Sequence, residues 1–175
     1  MRGRVKFLTL VLVLLAAGVP AQGRTWVGTH YSPKSLGFSG FFSAGEGLVR
    51  TELLLDMNGI IRGWNEMPGT RLRGCMDFPI YVTRLSTGTT LQLIAGPGVT
   101  LGYVSDAEKD YGFVGGLTAD AGLFFHFSRP ISVCFSFSAD LCLLYRQENH
   151  HAVMNVYGNG LAHAYYPEIS IFYRF

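Results

Sequence analysis

A length of 175 residues allows one domain of ordinary size, and a composition that is 49% hydrophobic and 15% charged is too apolar for a disordered chain and short of charge for a soluble one. Twenty-two glycines against seven prolines exclude collagen-like repeats and proline-rich coil. The formal net charge of +2 comes with no basic patch, acidic tail or arginine-rich arm, so no nucleic-acid partner is expected.

In chain order, Arg2, Arg4 and Lys6 precede an apolar run from Phe7 to Val19, and Val19-Pro20-Ala21 places small residues where a signal peptidase reads. Residues 1–21 therefore read as a cleaved export signal and residues 22–175 as the mature domain. Removing three of the 14 Lys and Arg leaves 11 against 12 Asp and Glu, so the mature net charge is −1. Beyond the export signal no stretch is long and apolar enough for a membrane-spanning helix.

The pattern then has a period of two, which belongs to strands rather than helices. Strands are predicted over 24–31, 35–43, 48–61, 73–85, 89–104, 111–127, 131–145 and 163–175. The first two are the weakest, because Trp26 to Tyr31 is short and Ser32-Pro33-Lys34 makes a small connection. In 89–104, Leu91, Leu93, Val99, Leu101 and Tyr103 oppose Gln92, Gly96, Gly98, Thr100 and Gly102. In 111–127, Phe113, Leu117, Leu123, Phe125 and Phe127 oppose Gly112, Gly116, Thr118, Asp120 and His126. Ile131 to Tyr145 is the clearest segment: Val133, Phe135, Phe137, Leu141 and Leu143 share one parity, and Ser132, Cys134, Ser136, Ser138, Asp140 and Cys142 the other.

Such strands exceed the usual five or six residues of a soluble sheet and match tilted strands crossing a bilayer. Their second face is small or polar, without the Lys and Glu of a water-washed surface, which suits the cramped interior of a closed barrel. Tyr103 and Tyr145 at one end, and Phe125, Phe127, Tyr173 and Phe175 at the other, fall where interfacial girdles would lie. Tight turns at 43–47, 86–88 and 128–130 alternate with longer polar loops at 62–71, 105–110 and 146–162. The predicted fold is all-β: an eight-stranded antiparallel up-and-down transmembrane β-barrel with a filled polar interior.

The ending Tyr165 to Phe175, with Tyr165, Ile169, Ile171, Tyr173 and Phe175 outward, resembles the C-terminal signature of outer-membrane β-barrels. That resemblance implies recognition by the barrel-assembly machinery and a Gram-negative outer membrane. Asp77-Phe78-Pro79-Ile80-Tyr81-Val82, followed by Ala95-Gly96-Pro97-Gly98-Val99-Thr100-Leu101-Gly102-Tyr103, is similar to the small OmpX/PorT-like barrel domains. Members serve structural, adhesive and secretion-related roles, so the resemblance implies the fold and no particular activity.

Inward parity gathers Arg50, Glu52, Asp56, Asp77, Asp120, Asp140, Glu168 and Arg174, with Arg73 and Arg146 toward the outer rim. An eight-stranded barrel is just wide enough for side chains to fill, so this set is expected to be a charge-paired plug rather than an ion path. His126-Phe127-Ser128 has the His-x-Ser spacing of lipid A deacylase barrels, but Ser128 enters a tight turn and the surrounding residues differ, so catalysis is not expected. His150 and His151 point to opposite sides on an extended chain and make a poor chelate. Trp64 and Met67, among Arg62, Glu66, Arg71 and Arg73, could meet lipopolysaccharide or a protein. Cys75, Cys134 and Cys142 are an odd number, and Cys134 and Cys142 would lie roughly 26 Å apart on one strand, too far to bridge. No cofactor or metal is expected.

The functional expectation is a monomeric, poreless outer-membrane barrel with a structural role or an interaction role through loops 62–71 and 146–162. The alternatives are a lipid-acylating or deacylating enzyme, and a narrow channel or secretion-complex component.

Overall fold

The computed structural model describes residues 25–57, 68–85, 88–105, 111–127, 130–148 and 151–175. The export signal, Trp64, Met67, Ser128 and His150 lie outside the described residues. The strands are β1 (Thr25–Tyr31), β2 (Ser35–Ala44), β3 (Gly47–Asp56), β4 (Thr70–Arg84), β5 (Thr90–Ser105), β6 (Tyr111–His126), β7 (Ile131–Glu148), β8 (His151–Tyr157) and β9 (Glu168–Arg174). A helical turn α1 (Gly158–Ala162) and a 3-10 turn (His163–Tyr165) separate β8 from β9.

Strands β1 to β7 pair antiparallel in sequence order, and β9 bridges β7 and β1, so the sheet closes into an eight-stranded barrel. Closure removes the edges of the eight-stranded wall, and β8, paired only with β7 among the described residues, keeps one open side. At the last residues the Arg174 N–H donates to the Pro130 carbonyl and the Phe175 N–H to the Thr25 carbonyl, at 2.7 and 3.1 Å. One circuit of the ladder runs from Tyr145 through Phe113, Tyr103, Thr70, Leu55, Leu36, Tyr31 and Ile169, and returns to β7 at Phe135. The return lies ten residues before the start, and a shear of ten over eight strands gives a tilt of about 40° and a diameter of about 16 Å.

Alternation decides which residues enter this narrow space. The inward parity is buried and the outward parity exposed along β6 and β7, so that Leu117 and Leu141 stand 64% and 56% exposed beside a fully buried Asp140. Along β5 the inward positions are mostly small, which leaves room for arginines from β4. A Cβ on Gly102 would stand 2.6 Å from the Arg71 Cα and 2.3 Å from the Thr70 carbonyl oxygen.

Several expectations are corrected. Residues 146–162 are not one loop: β7 continues to Glu148 and β8 runs back beside it, pairing Cys142 with Tyr157 and Glu148 with His151. The run Ala152-Val153-Met154-Asn155-Val156 is apolar except at Asn155 and so shows no clean alternation, and the polar residues 146–151 before it read as a loop. Predicted strand 163–175 is shorter and begins at Glu168. The chain leaves the wall as Gly158-Asn159-Gly160, residues poor at continuing a ladder, and α1 packs so closely on β7 that a Cβ on Gly160 would lie 2.4 Å from the Asp140 carbonyl oxygen. Tyr165 is therefore exposed on the 3-10 turn and not on the closing strand; Ile169, Ile171, Tyr173 and Phe175 have the predicted outward parity.

A further departure is a β-bulge in β4. The register with β5 shifts between Pro79 and Tyr81, at the run Phe78-Pro79-Ile80-Tyr81-Val82, where five apolar residues in a row cannot alternate. Proline has no N–H to give the ladder and is tolerated at such a point. The extra residue reverses parity, so Val82 and Arg84 lie opposite the inward Gln92 and Thr90 and join the interior face.

The interior is layered. Nearest the short turns Trp26, Phe41, Leu48, Ile94, Phe124, Cys134 and Phe172 form an aromatic plug, with Phe41 stacked on Phe124 at 4.8 Å and edge-on to Phe172 at 5.0 Å. Charged residues fill the middle. Toward the long connections Val104, Val114, Cys142, Leu144 and Tyr157 form a smaller apolar cluster. Cys75, Cys134 and Cys142 are unpaired and at most 3% exposed. All three should resist a water-soluble maleimide in the folded protein and react after boiling in SDS, as read by mass shift.

Candidate functional site

The middle layer is built from inward positions of β1, β2, β3, β4, β6, β7 and β9. Arg50 on β3 places Nε 3.2 Å from Asp77 Oδ2, pairs through a terminal nitrogen with Asp120, and donates to Ser136 Oγ at 3.2 Å. Arg73 on β4 donates to Glu52 at 3.1 Å, to Glu168 at 2.9 Å and to Ser138 at 2.8 Å. Arg71 spans Asp56 and Asp140 at 3.1 and 3.0 Å. The Ser138 hydroxyl lies 2.7 Å from Asp120 and 2.8 Å from Glu168, joining the Arg50 and Arg73 groups into one network.

Burial raises the stakes of each pair. Taking an ion out of water costs several kcal/mol, and a partner offsets that only with good geometry and further hydrogen bonds. Each guanidinium meets two carboxylates or more, and Ser39, Ser136 and Ser138 supply additional contacts. Three guanidiniums, Arg50, Arg71 and Arg73, face six carboxyl groups in this layer among the described residues. Asp77 Oδ1, Asp140 Oδ1 and His30 Nε2 are buried without a hydrogen-bond partner among the described residues.

Glu52, Asp56, Asp77, Asp120, Asp140 and Glu168 all stand where the sequence places them, together with Arg50. Arg174 keeps the inward parity, opposite Trp26, but stands exposed at the short-turn end beyond the aromatic plug, apart from the network. Arg73 sits at the centre of the network rather than at a rim, because β4 begins three residues earlier than predicted, at Thr70. The same shift brings Arg71, assigned by sequence to a loop, into the interior. Arg146 is half-buried near the long-connection end.

His30 is the other residue that sequence reasoning missed. Its Nδ1 is 3.2 Å from Ser170 Oγ and 3.4 Å from Glu52 Oε1. The inward parity of Trp26, Gly28 and His30 on β1 was the available signal. His30, Glu52 and Glu168 bring ligand-type atoms within 4.8 Å of one another. The Arg73 guanidinium already bridges the two carboxylates, and a metal ion would have to displace it.

His126 is held at the short-turn end. Its Nδ1 lies 3.2 Å from Ser132 Oγ, and its ring lies against Phe124 and Trp26, with centroids 4.1 and 5.5 Å apart. That contact runs across the β6–β7 pair, where His126 is directly opposite Ser132. His151 is exposed on β8. Comparison with known proteins finds no family model, no curated protein and no solved structure that matches this chain.

Proposed function

We propose that this chain is an integral outer-membrane β-barrel of the OmpX/PorT-like kind, exported by its N-terminal signal, with a plugged interior and a structural or loop-mediated interaction role. The observation that carries the reading is the inverted distribution of polarity: arginines, aspartates and glutamates are buried within the barrel while leucines and phenylalanines cover its outside. Val99, Leu101, Phe113, Leu117, Phe137 and Leu141 lie on the adjacent strands β5 to β7, at 51–64% exposure. Together they present roughly 600 Å² of apolar surface, already at the upper end of the largest patch on a typical soluble monomer.

Aromatic placement supports the same reading. Tyr103, Tyr111, Phe113 and Tyr145 band one end, and Phe125, Phe127, Phe135, Tyr173 and Phe175 the other. Phe113 and Phe125, twelve residues apart on a strand tilted by about 40°, are separated by about 30 Å along the axis, the thickness of a hydrocarbon core. Lipid and lipopolysaccharide are then the surroundings of the wall, and the barrel-assembly machinery recognises the closing strand. The loops at the long end are the surface open to a protein partner.

The protein should need detergent to stay dissolved, and an unboiled sample should migrate as a compact form on SDS gels that shifts on heating. The aromatic plug and charged layer lead to a second expectation, that planar bilayers containing the protein show no discrete conductance steps. Monodisperse behaviour without detergent would overturn the membrane reading, and steady single-channel currents would overturn the plug.

A further inference from the structure

We infer that the short-turn mouth of the barrel is a binding pocket for a small soluble organic anion, a carboxylate or phosphate carried on a flat apolar body. A cavity of about 510 Å³ opens there, within the range of small-molecule sites. Its floor is the aromatic plug, at Trp26 and Leu48, which separates it from the acidic middle layer. Its charged side chains are Arg84 and Arg174; no carboxylate lines it among the described residues. No ion pair within the described residues holds either guanidinium.

The cationic character is constructed, not incidental. Without the bulge at Pro79–Tyr81, Arg84 would have outward parity and lie on the apolar outer face. The extra residue turns it into the lumen opposite Thr90, and Val82 opposite Gln92. Arg174 reaches the same cavity from the closing strand. The donors around the space include the two guanidiniums, the Gln92 amide, the Thr90 and Ser43 hydroxyls and the His126 ring. Trp26 is 4% exposed, and its indole N–H finds no acceptor among the described residues. An acceptor-rich anion answers the guanidinium, amide and hydroxyl donors, and Trp26, Leu48 and Val82 offer apolar contact to the body that carries it. The mouth opens at the end of the barrel, away from the outward apolar belt, so the ligand arrives from water rather than from the bilayer.

The test is calorimetric titration of the refolded protein in zwitterionic micelles with phenyl phosphate, benzoate, inorganic phosphate and neutral benzyl alcohol. Saturable one-site heat is expected for phenyl phosphate or benzoate, weaker heat for inorganic phosphate and none for benzyl alcohol. Arg84→Gln should weaken binding about tenfold, as loss of a charge-assisted contact does, and the Arg84→Gln/Arg174→Gln double variant should abolish it. In a Trp64→Phe background, Trp26 is the remaining tryptophan and its emission should change with the same saturation curve. Heat-shifted gel mobility checks folding of each variant, and Arg84→Gln suffices alone if replacing Arg174 on the closing strand impairs assembly. Absence of saturable heat with either organic anion, undiminished binding in a folded Arg84→Gln variant, or equal binding of benzyl alcohol would overturn the proposal.

Discussion

Replacing Leu141 by arginine is expected to destabilise the folded barrel by about 2–4 kcal/mol, measured as a shift in the urea midpoint of protein refolded into lipid vesicles. Leu141 is 56% exposed, between the two aromatic bands and beside Leu117 on the neighbouring strand. On a water-washed surface the same change would be nearly silent, within about 0.5 kcal/mol, because no buried contact is lost. In hydrocarbon the guanidinium has to snorkel or draw in water, and the cost depends on depth. Tyr145→Arg, at the edge of the apolar belt, should therefore cost only about 0–1 kcal/mol. A Leu141→Arg protein as stable as the parent would show that this face never meets acyl chains.

Arg73→Met should be the most damaging substitution in the interior, at about 3–5 kcal/mol, because it leaves Glu52 and Glu168 buried without the guanidinium between them. The penalty arises from the charges that remain more than from the contact removed. Adding Glu168→Gln to Arg73→Met should consequently recover part of the loss, whereas two independent defects would add. Additive losses would mean that Arg73 and Glu168 are not coupled, and that the middle layer is a set of separate pairs. Both variants can be compared by urea unfolding and by the fraction migrating in the compact form before boiling.

Parity was legible from residues 89–145 because every second side chain has to choose between a crowded interior and the outside. A one-residue slip there would place Asp120, Asp140 and Ser138 on the apolar face, so the pattern admits one register. The same logic located Glu52, Asp77 and Glu168. It failed where alternation is interrupted. At Phe78 to Val82 a continuous apolar run hides a bulge, and the facing of Arg84 depends on where the extra residue is inserted. At 151–157 a short strand flanked by polar residues and glycines reads as a loop until β7 is seen beside it.

Length, composition and the period-two pattern by themselves determined that this chain is all-β, closed and inverted in polarity, since an apolar face repeated on strand after strand leaves few other ways to pair the backbone. Only the tertiary structure decided who meets whom inside. Arg71, Arg73 and His30 gain their partners from strands up to 140 residues away along the chain, brought opposite by a shear of ten that no local signal encodes. Arg174 and Arg84, far apart in sequence and alike in exposure, become neighbours of one cavity for the same reason: closure and a single bulge set their direction, and neither leaves a mark on composition.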